Sequence, residues 1–254
     1  MRRGNHGNWY VLMALGLTVL VGCRTAHPPQ SNGLTTSPDS TSANQLTNAQ
    51  VADLHVAIGR TLEKRGELEA AAASYQKAME KDATRADTSG RLAVVYDRQG
   101  RFRESEEMYR AAIKQQPHDP ELVCNYGYSL YLQGRLEEGA RVFNRALTLR
   151  PDHARAHNNL GLVLAQQGHS DEALQQFAMA GCSKADAHCN LAYAMTLDQS
   201  FDKAIKHYQL ALNADPNSEV ANQGLHAART LSAKATGATP VDGVGVTANR
   251  ETRQ

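Results

Sequence analysis

The chain has 254 residues, with 27 Lys and Arg against 26 Asp and Glu and a formal net charge of +1. This near-neutral balance, without a basic stripe, gives no electrostatic reason to expect nucleic-acid binding. Aromatic residues make up 6% of the chain and Ala is abundant, a composition that favours helices over strands.

The first 23 residues have the pattern of a secretion signal. Two arginines precede an uncharged apolar segment at residues 9–22, which is shorter than the about 20 residues of a membrane span and suits a signal peptide. Residues 20–23, Leu-Val-Gly-Cys, resemble the lipobox of bacterial lipoproteins, in which the cysteine is acylated and becomes the new N-terminus. We therefore expect a signal peptide over residues 1–22 and a lipid anchor at Cys23. An ordinary secretory signal with a chance cysteine is the alternative.

Two polar segments flank the middle of the chain. Residues 24–47 are rich in Ser, Thr, Asn, Gln and Pro, so they cannot bury enough apolar surface to become ordered. As a flexible tether they would reach roughly 25–30 Å, which suits a domain held off a bilayer. Residues 233–254 are expected to be a disordered tail. Arg24, not Asp, follows Cys23, so in a host with two membranes we expect the outer membrane, facing the periplasm.

Residue types recur with a period of 34 in the middle of the chain. A glycine, an aromatic residue and an alanine keep this step over four units: Gly66, Gly100, Gly134 and Gly168; Tyr75, Tyr109, Phe143 and Phe177; Ala78, Ala112, Ala146 and Ala180. A fixed period of this size is the signature of a repeat architecture.

Each unit has the pattern of two helices. In the third unit, apolar or small residues lie at i, i+3, i+4 and i+7 from Val123 to Leu130, and again at i, i+4 and i+7 from Gly139 to Ala146. Gly134 ends the first helix and Pro151 stops the second. One such pair cannot cover its apolar face alone, so neighbouring units must stack.

This period and pattern resemble the tetratricopeptide repeat (TPR). The resemblance implies an all-α, right-handed superhelical solenoid of helix-turn-helix repeats with a C-terminal capping helix. The repeat domain is predicted over residues 48–232, with repeats at 52–85, 86–119, 120–153, 154–184 and 185–218 and a cap helix at 219–231. Two departures stand out: the fourth unit is three residues short, and Gln199 replaces the turn glycine of the fifth.

No catalytic constellation is evident. The chain has no Gly-rich phosphate loop and no nucleophile paired with a base at a usable spacing. His153 and His157 are spaced i, i+4, but one is predicted in a turn and the other at a packing position, so we interpret them as ordinary histidines. Cys182, His188 and Cys189 cluster without an evident fourth zinc ligand. We therefore expect no enzyme activity, no cofactor and no metal site.

Export would place the remaining cysteines in a potentially oxidising compartment. Cys124 is two repeats from Cys189, and helix spacings of about 8–10 Å per step exceed the roughly 7 Å limit for a disulfide. If a disulfide forms, we expect Cys182–Cys189. Two buried thiols are the alternative.

The resemblance places the first helix of every repeat on a concave side, with repeat positions 2, 5, 6, 9, 12 and 13 facing a groove. Asn occupies position 6 in three consecutive repeats, and in other TPR proteins such asparagines bind a peptide backbone, because an amide both donates and accepts hydrogen bonds. Tyrosines in the same repeats would add anchoring area. The expected partner-binding residues are Asn125, Tyr128, Tyr131, Arg155, Asn158, Asn159, Asn190 and Tyr193. The alternative is that Asn is simply frequent at this position in the family and that the tyrosines are scattered surface residues. The first two repeats offer a solvated, mixed-sign surface: Asp53, Arg60, Glu63, Lys64, Asp87, Arg91, Asp97 and Arg98.

Three functions remain open. The layout of lipobox, polar tether and five repeats resembles outer-membrane TPR lipoproteins of type IV and tight-adherence pilus systems, which implies a scaffold for assembling a pilus or secretion machine. An adaptor that recruits cell-wall enzymes has the same layout. A metal or small-molecule binding protein is the third possibility.

Overall fold

The computed structural model describes residues 46–237. The regular structure in this range is helical: α1 (Asn48–Arg65), α2 (Leu68–Lys81), α3 (Ala86–Arg98), α4 (Phe102–Gln115), α5 (Pro120–Leu132), α6 (Leu136–Leu149), α7 (Ala154–Gln166), α8 (Ser170–Met179), α9 (Lys184–Leu197), α10 (Phe201–Ala214) and α11 (Glu219–Thr236). The predicted signal peptide, Cys23, nearly all of the tether and the end of the tail lie outside the described residues. No helix between residues 46 and 237 has both the length and the apolar character needed to cross a bilayer.

The described residues divide into two compact units between Cys182 and Ser183. The first unit, residues 46–182, contains α1 to α8. The second unit, residues 183–237, contains α9 to α11. The division coincides with the shortened fourth repeat, where α8 has 10 residues while the other second helices have 14.

Local sequence signals set the helix ends. Thr47 caps α1 in a capping box with Gln50, and the Asp119 side chain accepts from two amides at the start of α5, where Pro120 lacks an amide that would need a partner. The turn glycines, such as Gly134 with φ 72°, adopt the left-handed conformation that a side chain disfavours. Gln199 stands in that place in the fifth repeat and still has φ 59°, so this turn carries backbone strain.

The core of the first unit is built from the periodic aromatic residues. Tyr75, Tyr109, Phe143 and Phe177 are at most 1% exposed. Phe143 packs so closely on α5 that a Cβ added to Gly127 would lie 2.8 Å from the ring. The small residue on the first helix and the aromatic on the second therefore fit as a pair, which confirms the TPR solenoid predicted from the period.

In the first unit, the first helices of the repeats form an inner row. Within the first unit, α2 contacts α3, α4 contacts α5 and α6 contacts α7, so each of these second helices packs on the first helix of the next repeat. The first helices also contact one another, α3 with α5 and α5 with α7. Surface residues of α1, α3, α5 and α7 thus share one side of the first unit, which we call the inner face. In the second unit, α9 contacts both α10 and α11.

The last helix is longer than the sequence predicted. It continues to Thr236, past the expected end at Leu231 and into the segment expected to be disordered. Residues 233–235 are Ala-Lys-Ala, which favour helix strongly. Gly237, with φ 70°, provides the left-handed cap that ends it.

Candidate functional site

The centre of the inner face is a pair of tyrosines on α5. The rings of Tyr128 and Tyr131 stack with centroids 5.9 Å apart and planes at 24°. Tyr131 is only 4% exposed, and its hydroxyl accepts a hydrogen bond from Gln166 Nε2 of α7 at 3.0 Å. Tyr128 remains partly exposed. The buried ring therefore holds the exposed ring in place, so a partner would meet a side chain that has little conformational freedom left to lose.

The three asparagines that align at repeat position 6 differ in how far their side chains are buried. Asn125 on α5 is partly exposed. Asn159 on α7 is 8% exposed, and its Nδ2 donates to Cys124 Sγ of α5 at 3.9 Å. Asn190, in the second unit, is 6% exposed. Asn159 and Asn190 are therefore largely buried and expose less of their amides than the sequence pattern led us to expect, whereas Asn125 keeps part of its side chain accessible.

Repeat position 12 is buried in the second and third repeats. Tyr131 and Asp97 occupy it in the third and second repeats, and both are at least nine-tenths buried. Asp97 accepts hydrogen bonds from Tyr109 at 3.1 Å and from Ser129 of α5 at 2.7 Å. Burial raises the pKa of Asp97, while the hydrogen bonds from Ser129 and Tyr109 act in the opposite direction. Side chains at this position thus join adjacent repeats, and placing Tyr131 and Asp97 in the groove was incorrect.

A cluster of charge lies where α5 and α7 begin. Glu121 pairs with Arg155, and its Oε1 lies 3.0 Å from Arg150 Nη1 and 3.4 Å from His153 Nε2. Burial, together with the two arginine charges, lowers the pKa of His153, although Glu121 opposes that shift. His153 is therefore neutral near pH 7, and two arginines share one carboxylate. The cluster keeps a net positive charge, and the Arg155 side chain is 52% exposed.

The two remaining predicted residues lie apart from this centre. Asn158 on α7 is partly exposed, and the Cys182 thiol donates to its Oδ1 at 3.9 Å. Tyr193, on α9 of the second unit, is partly exposed, and burial raises its pKa. Tyr193 has the same repeat position as Tyr128. The first unit therefore brings together Asn125, Tyr128, Tyr131, Arg155, Asn158 and Asn159 on α5 and α7.

The inner face of α1 and α3 has a different chemistry. Glu63 lies 3.6 Å from Arg91 and 3.8 Å from Arg98, and Arg60 lies 3.9 Å from Asp87. These are partly exposed ion pairs of opposite sign, each of which contributes about 0–1 kcal/mol. The charges of this half largely neutralise one another within the chain.

The cysteines of the described residues are present as thiols. Burial raises the pKa of both Cys124 and Cys189 to about 11, which keeps them protonated and unreactive at neutral pH. Cys182 is partly exposed. Since Cys182 and Cys189 belong to different units, their pairing on oxidation stays a prediction.

Comparison with known families identifies the fold. A family model described as the C-terminal domain of cilia and flagella-associated protein 70, a TPR model, matches residues 41–194, and a tetratricopeptide repeat model matches residues 185–218. The chain belongs to the family of tetratricopeptide repeat domains that these models describe. A comparison with curated proteins gave no match.

Solved TPR structures share the fold over most of the chain. YrrB, described as a TPR protein with an unusual peptide-binding site, is 26% identical, with 68% of this chain and 90% of YrrB covered and a TM-score of 0.50. PilF of Pseudomonas aeruginosa is 25% identical, with 75% and 86% covered and a TM-score of 0.55. PilW, described as a widely conserved type IV pilus biogenesis factor, is 22% identical, with 74% and 87% covered and a TM-score of 0.58.

The chain is thus a TPR scaffold, a class of proteins that bind other proteins or peptides and are generally not enzymes. Within residues 46–237, no three His, Cys, Asp or Glu side chains converge in a way that could hold a metal ion. Sequence reasoning missed one close pair of side chains, His188 with His207 in the second unit. The two residues are 19 positions apart, so only the pairing of two helices brings them together.

Proposed function

We propose that this TPR protein is a lipid-anchored scaffold of the cell envelope that binds an extended segment of a partner protein across α5 and α7. The observation that carries the proposal is the partly exposed Tyr128 ring stacked on the buried Tyr131 ring, with the partly exposed Asn125 on the same helix. A fixed aromatic surface beside an amide matches what a peptide offers, since its side chains need apolar area and its backbone needs a donor and an acceptor.

Asn125 and Tyr128 would contribute different amounts of binding free energy. A hydrogen bond from Asn125 to a peptide backbone contributes about 0.5–1.5 kcal/mol net, which cannot hold a partner alone. Truncation of a central interface tyrosine can cost about 2 kcal/mol or more. Tyr128 is therefore the proposed anchor and Asn125 sets the register of the bound backbone. The net positive cluster around Arg155 favours a carboxylate on the partner.

The proposed lipid anchor and the proposed location in the cell envelope rest on the sequence outside the described residues. The lipobox-like sequence ending at Cys23 supports lipid attachment, and two acyl chains on one diacylglyceryl group would hold the protein to a membrane. The layout of the whole chain supports a role in assembling a pilus or secretion machine. PilW, a type IV pilus biogenesis factor, shares the TPR fold.

Metabolic labelling with a fatty-acid analogue tests the anchor. The parent chain should incorporate the label and fractionate with the membrane, and Cys23→Ser should lose both properties. Cys182→Ser is the matched control, because it removes a partly exposed thiol within the repeat domain and should leave the label unchanged. Label that persists in Cys23→Ser would overturn the lipid site.

Site-specific photo-crosslinking in the host tests the binding surface and the pathway together. A photoreactive residue at position 128 should crosslink one partner, whereas the same residue at Arg141, exposed on the second helix of that repeat, should not. Mass spectrometry of the crosslinked peptide identifies the partner. A pilus or secretion component supports the proposal, and a cell-wall enzyme would replace it with the adaptor function.

A further inference from the structure

Two histidines face each other in the second unit. His188 on α9 and His207 on α10 have their Nδ1 atoms 3.2 Å apart. The ring centroids are 5.3 Å apart and the planes meet at 31°. His188 is 8% exposed and His207 is partly exposed. The contact is thus largely sheltered, yet one ring can be reached from solvent.

The protonation of this pair leaves ligand atoms available. A neutral imidazole has one N–H and one lone pair, so a hydrogen bond between two Nδ1 atoms needs a proton on only one of them. Burial lowers the pKa of both rings, helped by the charge of Lys184 at His188 and by His188 itself at His207. Both rings are therefore neutral near pH 7, the form in which histidine binds metals.

The distance between the two nitrogens also suits a shared metal ion. Imidazole nitrogens bind Zn²⁺ at about 2.0–2.1 Å. With donor atoms 3.2 Å apart, two such bonds enclose an angle of about 100°, which lies between the octahedral and tetrahedral values. A metal ion can therefore bind between the two Nδ1 atoms after a small rotation of the rings, and the proton that one Nδ1 carried moves to Nε2 of the same imidazole, which stays neutral.

We propose that His188 and His207 form a two-histidine site for a divalent transition-metal ion of the class that prefers imidazole, such as Zn²⁺ or Cu²⁺. The described residues place no third His, Cys, Asp or Glu within reach. The remaining coordination positions are filled by water or by a side chain from a bound partner. Metal binding is thus a separate property of the second unit and does not depend on the peptide surface of α5 and α7.

The fourth repeat contains a natural counterpart of this pair. His157 faces Gln176 across the same 19-residue separation, with Nδ1 2.7 Å from Gln176 Oε1, and its Nε2 lies 2.8 Å from the Pro151 carbonyl oxygen. Since that carbonyl can only accept, the Nε2 proton of the neutral ring points to it. The Nδ1 lone pair is then directed toward position 176, where the Gln176 amide must present its NH2 group in place of Oε1 in order to donate to it. One histidine of a second site is therefore already oriented, and only the second ligand is missing.

Calorimetric titration of the metal-free full chain with Zn²⁺ at pH 7.5 tests the proposal. His207→Gln and His188→Gln should each weaken Zn²⁺ binding by at least about tenfold, the lower bound known for partners that merely orient a ligand. His157→Gln is the matched control and should bind as the parent does. Because His188 is buried, the thermal melt of its variant without metal checks the fold, and the more exposed His207 supplies the second variant.

Two further variants sharpen the test. Gln176→His should add a second Zn²⁺ equivalent, because it completes the pair with His157. Lys184→Gln should tighten the original site a few-fold, since it removes a nearby positive charge that repels the ion. The proposal is overturned if the parent, His188→Gln and His207→Gln bind Zn²⁺ equally, or if Gln176→His adds no site.

Discussion

The first two repeats and the next two share a core and differ in their inner faces. Tyr75 and Tyr109 fill the same place as Phe143 and Phe177, and all four are buried. On the inner face, α1 and α3 present charged pairs such as Glu63 with Arg91, whereas α5 presents amide and aromatic side chains. Residues that recur with the 34-residue period therefore form the core of each repeat, whereas the side chains on the inner face differ from one repeat to the next.

The different inner-face side chains explain why we place the binding surface on α5 and not on α1 and α3. A face whose charges pair within the chain gives a partner little to gain, because each new contact must replace an existing one. A stacked tyrosine with partly exposed area gains when it is covered. The same scaffold can therefore carry a neutralised half and a binding half side by side.

The largest expected loss of stability comes from a substitution in the core that all four repeats share. Phe143→Ala should lower the free energy of unfolding by about 3–5 kcal/mol, because the ring fills the space beside Gly127 and its loss leaves a cavity. Thermal or denaturant unfolding measures the change. Asn144→Ala, at the next and exposed position of α6, is the control and should be close to neutral. An unchanged midpoint for Phe143→Ala would show that the repeat register is wrong.

The two halves also differ at position 12, where the second repeat has a buried carboxyl and the third has Tyr131. Burial raises the folded-state pKa of Asp97, so the folded chain holds this proton more tightly than the unfolded chain. The stability from this group is complete below the unfolded pKa, near the usual 3.8, and is lost as the pH rises through the folded pKa.

Asp97→Asn removes that titration. Relative to the variant, the parent should therefore lose stability as the pH rises from about 4 through the folded pKa. Denaturant melts of both proteins across this range measure the difference in unfolding free energy. A difference that does not change with pH would contradict the raised pKa.

The smallest expected changes in stability concern Asn125 and Asn159, which occupy the same repeat position but differ in burial. Asn159→Ala should cost about 1 kcal/mol, because it deletes a buried amide that contacts Cys124. Asn125→Ala should stay within about 0.5 kcal/mol, as at other surface positions. Unfolding curves of the two variants compare them directly. Equal costs would mean that both amides have the same environment and that the burial described for Asn159 is incorrect.

These cases show which parts of the molecule the sequence could predict. The period identifies the fold and core residues such as Phe143, because core packing repeats from unit to unit. It does not predict whether Asn125 or Asn159 is covered, since that depends on the neighbouring side chains around each one. The contact between His188 and His207 was missed for a related reason, because it arises only from the pairing of α9 with α10.

The central claim is that the α5 side of the inner face binds a partner and the α3 side does not. Tyr128 and Val94 occupy the same repeat position on these two helices, and both are partly exposed. Calorimetry with the partner segment identified by crosslinking compares Tyr128→Ala with Val94→Ala. We expect Tyr128→Ala to weaken binding by at least about tenfold, which corresponds to about 1.4 kcal/mol, and Val94→Ala to change it by less than about twofold. Equal effects, or a larger effect of Val94→Ala, would contradict the account.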